Sequence, residues 1–165
     1  EALYLVERLE PWTRTDYARV GKQPRLYMTD SGLMASLLGW RIDQIRFDAD
    51  RSGKLVETFA FNEIAAEVDA GDGRYRLHHY RDREQREVDL IVEREDGALL
   101  GIEIKAASSV SSDDFKHLRW IAGKHAAGRP FVGVVLYTGD HVAAFGPQLW
   151  AVPFAALWHP APAAV

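Results

Sequence analysis

The stretch Glu87-Val-Asp-Leu-Ile-Val-Glu93, with Glu95-Asp-Gly97 and Leu100-Gly-Ile-Glu-Ile-Lys105 after it, decides how this chain folds. Two runs rich in Val, Ile and Leu flank a charged turn that holds a glycine, the pattern of a β-hairpin. On the first strand Val88, Leu90 and Val92 share one face, and Asp89, Ile91 and Glu93 the other. On the second, Ile102 and Ile104 oppose Gly101, Glu103 and Lys105. A slip of one residue would expose one of the apolar sets. Both sets are therefore expected on the same side of the sheet, with Asp89, Glu103 and Lys105 together on the other. A symmetric turn about Asp96-Gly97 would set Asp89 opposite Ile104, the wrong parity. An odd-length loop or a bulge is therefore expected between Glu93 and Leu99, and bulges often lie beside active sites.

Upstream, a wide apolar face at helical period marks a helix over 54–69, with Leu55, Phe59 and Ala66 on one stripe and Val56, Ala60 and Ile64 beside it. A strand over 75–80 and the charged turn 81–86 lead into the hairpin. Downstream, a helix is expected over 113–125, stopped by Gly128 and Pro130. The unbroken apolar run 131–137 reads as a strand buried on both faces. Short strands follow at 141–145 and 148–152. The order from residue 54 is helix, three strands, helix, strand, an α/β core with one mixed sheet between helices. Before it lie strands at 3–9 and 25–29, a polar link 10–24, a short helix 32–38 capped by Asp30 or Ser31, and a polar loop 41–52. The parts are thus 1–40, a small β extension packed on the core and unable to bury a core of its own; 41–155, the core domain; and 156–165, an Ala- and Pro-rich tail.

The chain has 165 residues, 47% hydrophobic and 27% charged. A disordered chain is thereby excluded. No apolar run approaches the roughly 20 residues of a membrane span, and no charged and apolar leader precedes the first strand. The sequence contains no cysteine, which excludes disulfides, thiolate nucleophiles and Cys-based zinc sites. A cytoplasmic location is expected. A net charge of −4 argues against a general nucleic-acid coat, so any nucleic-acid surface must be local. The start at Glu1-Ala2-Leu3, without Met, is expected of a piece of a longer protein.

Two carboxylates and an ammonium at one point suit specific chemistry. Asp and Glu oxygens bind a hard cation such as Mg²⁺, which lowers the pKa of a bound water and stabilises charge on a phosphoryl oxygen. Lys105 would position that water or offset phosphate charge, and Glu57 offers a third carboxylate from the upstream helix. The same residues also read as a cross-strand ion-pair cluster on a solvated face, and Glu57 as a surface acid or a partner for Lys105.

Asp89, Glu103-Ile-Lys105 and Glu57 together resemble the metal-binding core of the PD-(D/E)xK nuclease superfamily, whose common core is α-β-β-β-α-β. More specifically, four phrases in order resemble the DUF4143 domain found behind the ATPase module of AAA-type ATP-binding proteins. They are Pro24-Arg-Leu-Tyr-Met-Thr-Asp-Ser-Gly-Leu33, Gly53-Lys-Leu-Val-Glu-Thr-Phe59, Arg86-Glu-Val-Asp-Leu90, and Gly101-Ile-Glu-Ile-Lys105 followed by 111–120. The resemblance implies a restriction-endonuclease-like fold. It implies Asp89 and Glu103 as ligands of Mg²⁺ or Mn²⁺, Lys105 as the catalytic lysine and Glu57 as an auxiliary acid. It also implies an ATPase module of the same parent chain, and DNA, as partners. Val88 stands where the superfamily often has Pro, no Gln-x-x-x-Tyr element follows Lys105, and no Walker motif is present.

Three functions compete. One is a metal-dependent nuclease serving an ATPase. The second is a non-catalytic interaction or regulatory domain that keeps the nuclease fold, suggested by the acidic balance. The third is DNA binding without cleavage through the arginines of 74–86. His78 and His79 are adjacent on a strand and point to opposite faces, so they are expected to be structural. Lys116, His117 and Arg119 read as the outer face of a helix that buries Phe115, Leu118 and Ile121. The five tryptophans are scattered and are expected in packing roles, not as a base-stacking platform.

Overall fold

Residues 4–15, 22–71, 73–126 and 128–158 are described by a computed structural model. Chain order runs β1 (Val6–Leu9), β2 (Arg25–Met28), α1 (Ser31–Leu37), α2 (Ile42–Ile45), α3 (Ala49–Ala70), β3 (Tyr75–Arg81), β4 (Glu87–Arg94) and β5 (Leu99–Lys105). A 3₁₀ turn over Ser112–Phe115 leads into α4 (Lys116–Lys124), followed by β6 (Phe131–Tyr137), β7 (Ala143–Gly146) and β8 (Leu149–Pro153). The six main strands form one mixed sheet in the order β3-β4-β5-β6-β8-β7, while β1 and β2 pair as a separate ribbon. The first three strands of the sheet are antiparallel; β5, β6 and β8 are parallel. Parallel pairing of β5 with β6 needs a crossover, which α4 supplies. The helix–strand–strand–strand–helix–strand order is the α/β core expected from the sequence.

Each face of the sheet buries its own apolar cluster. Phe115, Leu118 and Ile121 from the α4 side are fully buried with Val88, Ile91, Val135 and Trp12. On the other face Phe61 and Ile64 of α3 pack with Leu90, Ile102 and Leu136, joined by Leu9 and Tyr27 of the ribbon. Tyr27 stacks on Phe61 at 4.1 Å between ring centroids, which seats the ribbon against α3. Close approach of α4 depends on two glycines: Gly101 and Gly133 are register partners, and a Cβ at Gly101 would lie 2.8 Å from Leu118.

The polar stretch 41–52 is not the loop expected. Asp48 caps α3, its carboxylate accepting the Arg51 N–H at 3.1 Å, so the helix begins at Ala49, and Ile42–Ile45 forms a further turn. An Asp three residues before Arg51 is an N-cap signal that outweighs polar composition. The link residues 16–21 and the tail residues 159–165 lie outside the described residues. Trp158, just before them, donates its indole N–H to Glu63 at 3.0 Å.

Candidate functional site

The hairpin has the odd loop that parity demanded. Glu93 faces Leu99, and between them Gly97 turns the chain at φ +84°, a left-handed conformation natural to glycine. In this register Leu90 pairs with Ile102, so Asp89 comes level with Glu103.

A second irregularity was not foreseen. His78 pairs with Ile91 but Tyr80 with Val88, so Asp89 and Leu90 together oppose the single residue His79. This bulge reverses the parity of β4. Val88 therefore does not share a face with Leu90 and Val92, as the alternation suggested; it joins Ile91 in the α4-side cluster. The physical reason is the extra residue, which shifts every side chain beyond it to the opposite face.

The bulge also aims Asp89. Its Oδ2 accepts the Ile104 N–H at 2.9 Å, where β4–β5 backbone pairing has ended. Its Oδ1 faces Arg25 Nη1 at 3.4 Å. Arg25 Nη1 also lies 3.2 Å from Glu57 Oε1 and 3.2 Å from the Tyr27 hydroxyl, and its Nη2 contacts Glu87. Tyr27 donates its hydroxyl to Glu57 at 2.7 Å. Sequence alternation had marked neither Arg25 nor Tyr27. They share one face of β2 and turn it inward, while Leu26 is left 65% exposed. The strand was expected over 25–29, but nothing in its sequence marked these two side chains as part of the site.

Glu103 and Lys105 lean the other way, toward α4. Lys105 Nζ donates to Asp114 Oδ1 at 2.5 Å, and Asp114 also accepts from the Ser111 N–H and hydroxyl in a capping box. Glu103 is mostly buried, and its Oε1 has no hydrogen-bond partner. His117 Nδ1 is 3.7 Å from that oxygen but donates instead to the Glu87 carbonyl at 2.8 Å. Burial, then the charge of neighbouring Asp89 and a hydrogen bond with its carboxyl, push the Glu103 pKa up to about 9. Burial lowers the His117 pKa, so the imidazole stays neutral at pH 7 and offers Glu103 no charge.

The predicted residues therefore fall into two sets that meet at Asp89. Glu103 and Lys105 lie toward α4; Glu57 lies on α3, with Arg25 between it and Asp89. Asp89 and Glu103 form a carboxyl pair whose unpartnered oxygen suits a hard cation. Among the described residues, however, no three His, Asp or Glu side chains are arranged to hold one metal ion. His78 and His79 are buried structural residues, 5% and 4% exposed.

A chain from the refined half-complex of a tetradecameric assembly of Thermococcus gammatolerans McrB AAA+ hexamers with bound McrC matches 62% of this chain and 27% of its own length. The match has a TM-score of 0.43 at 13% identity. Uncharacterized proteins of Mycobacterium tuberculosis and Mycobacterium bovis are 34% identical over 110 residues, which is 65% of this chain. The chain spans only 23% of the length of these relatives. Residues 1–44 match a second domain of unknown function, DUF8612. Across residues 52–157, which hold most of α3, the whole hairpin and all the predicted site residues, the sequence matches the domain of unknown function DUF4143, and the chain belongs to that family.

Proposed function

We propose that this chain is a nuclease-fold domain that hydrolyses phosphodiester bonds in nucleic acid, with Mg²⁺ or Mn²⁺ held by Asp89 and Glu103. The observation that supports this reading is the carboxyl pair: two adjacent acids on neighbouring strands, one with a buried oxygen that nothing in the protein satisfies. When bound there, the cation supplies a water of lowered pKa and a positive charge beside the scissile phosphate. Asp89 is oriented for the task by the Ile104 amide. Lys105 stands two residues beyond Glu103 and would orient the attacking water or bind a phosphate oxygen once substrate displaces Asp114. Glu57 is an auxiliary acid, engaged by Arg25 and the Tyr27 hydroxyl in the metal-free structure. The relatives' much greater length supports a further part of the proposal, that the domain serves an ATPase module in a longer chain.

The test is calorimetry with Mn²⁺ alongside cleavage of plasmid and single-stranded DNA. Binding and cleavage lost together in Asp89→Ala and Glu103→Gln are the expected result. Cleavage that survives Asp89→Ala places the chemistry elsewhere.

One observation favours the second reading, a non-catalytic interaction or regulatory domain. Arg25 already pairs with Glu57, Asp89 and Glu87, as in a structural ion-pair network. This reading predicts no Mn²⁺ binding.

A further inference from the structure

Resting on the metal-site reading above, we propose that Arg25 and a divalent cation compete for Asp89, so that metal binding and docking of β2 exclude each other. In this view Arg25 is a positioning residue that keeps the site in its metal-free form while β2 is seated.

The competition follows from which oxygen each cation uses. Asp89 Oδ2 is committed to the Ile104 N–H. Oδ1 accepts no backbone hydrogen bond and is the oxygen more open to a metal, and it is the one that Arg25 faces at 3.4 Å. A carboxylate-bound divalent ion sits about 2–2.6 Å from its oxygen. The guanidinium would then be held within one residue's breadth of a double positive charge in a part-buried site, where screening by water is weak. Arg25 and Tyr27 both hold Glu57 Oε1, so a metal drawing on that oxygen would have to displace them. Arg25 is also an incomplete counterion: its single charge is shared among three carboxylates, and it leaves the buried Oε1 of Glu103 without a partner. A cation at the Asp89–Glu103 pair would satisfy the oxygen that Arg25 does not.

The ribbon is set apart from the main sheet. It forms its own two-stranded sheet and adds no strand to the main one. Its backbone link to the sheet is a bridge between Pro11 and His79, the residue opposite the Asp89 bulge. Leu9 and Tyr27 anchor it in the α3-side cluster, while Trp12, just after β1, is fixed in the α4-side cluster, so release would be confined to β2. Release of β2 would withdraw Arg25 and Tyr27 together and free Glu57.

The experiment is Mn²⁺ calorimetry on the whole chain and on Arg25→Gln, with hydrogen exchange of the wild type at millimolar Mn²⁺ as a measurement that needs no variant. Arg25→Gln is expected to bind Mn²⁺ at least tenfold more tightly than the wild type. In the wild type, Mn²⁺ is expected to speed exchange at the amides of Arg25–Met28. Equal affinity in both proteins overturns the competition and leaves the metal site standing. No binding in either overturns both readings. Should Arg25→Gln not fold, exchange decides: β2 amides unchanged or slowed by Mn²⁺ overturn the proposal.

Discussion

The two ends of the β4–β5 hairpin carry similar groups in opposite surroundings. At the turn, Arg94 and Asp96 pair in full solvent, Nε to Oδ1 at 3.0 Å. At the open end, Arg25 meets Asp89, Glu57 and Glu87, with Glu103 behind them. The Arg94 hydrogen bond and the Ala98 amide pull the Asp96 pKa down to about 2. Burial and Asp89 push the Glu103 pKa up to about 9. At the turn water does most of the work of solvating charge, and the ion pair shapes the loop. At the open end water is scarce, and each carboxylate needs a cation, an amide or a proton. Surplus negative charge without enough counterions is what separates a site from a decorated turn.

The contrast is tested most strongly by removing its cation. Arg25→Ala should cost roughly 3 kcal/mol in a denaturant melt without divalent ions, because it leaves part-buried carboxylates uncompensated. Arg94→Ala should leave the melt unchanged. If both variants melt like the wild type, the open end is as well solvated as the turn.

The next effect is a dependence on pH. The Glu103 pKa lies far higher folded than unfolded, so the folded chain holds a proton that the unfolded chain releases. The stability that Glu103 contributes is then greatest below about pH 5 and falls as pH rises toward 9, by at most about 1.4 kcal/mol per unit. His79, lowered to about 4 by burial, acts in the opposite sense, since its neutral form is favoured on folding. Its contribution is complete above about pH 7, so melts between pH 7 and 8.5 in EDTA isolate Glu103. Wild type should lose stability over that window and Glu103→Gln should not. A flat wild-type profile would mean that water reaches Glu103 freely.

Most of the fold was legible because it is local. The run 131–137 is β6 residue for residue, since seven consecutive apolar residues between breakers allow little else. The helix 54–69 was found but its start was placed late, because Asp48 acts through one cap and not through hydrophobic period. The site was legible in part. Asp89, Glu103 and Lys105 were marked by residue type and spacing, and the odd loop between Glu93 and Leu99 brought the two acids level, but the bulge turned Asp89 from the face that Glu103 and Lys105 share. The bulge at Asp89-Leu90 was hidden, since nothing in the strand says that His79 faces two residues. Arg25 was hidden for another reason: its partners Glu57 and Asp89 come from distant parts of the chain, and an arginine in a short strand looks the same whether it faces solvent or acids. Lys105 illustrates the same limit, its Asp114 partner lying across a connection that spacing does not specify.

A smaller effect sharpens the role of the ribbon. Tyr27→Phe keeps the ring on Phe61 but removes the hydroxyl that Glu57 accepts at 2.7 Å. The expected loss is about 1 kcal/mol. If Arg25 is a competitor of metal, the variant should also bind Mn²⁺ somewhat more tightly, because Glu57 is freer to turn. A stability loss with unchanged Mn²⁺ affinity would confine Tyr27 to packing and capping.

The smallest effect is expected at the turn, and it tests the other half of the contrast. Asp96→Asn removes the charge that pairs with Arg94 but keeps an oxygen able to accept the Ala98 N–H, which Asp96 accepts at 3.0 Å. Gly97 still supplies the left-handed residue that the loop needs. The Asp96 pKa is lowered on folding, so its contribution is present above its unfolded value and lost as pH falls through about 2. Between pH 5 and 8 that contribution is fully present, but an exposed pair is worth little, so Asp96→Asn should melt only slightly below wild type, and 0.5 M salt should erase the gap, since exposed pairs are screened. A gap that persists in high salt would show that the turn, like the open end, holds its charges away from water, and the difference between the two ends of the hairpin would then lie in their partners and not in their solvation.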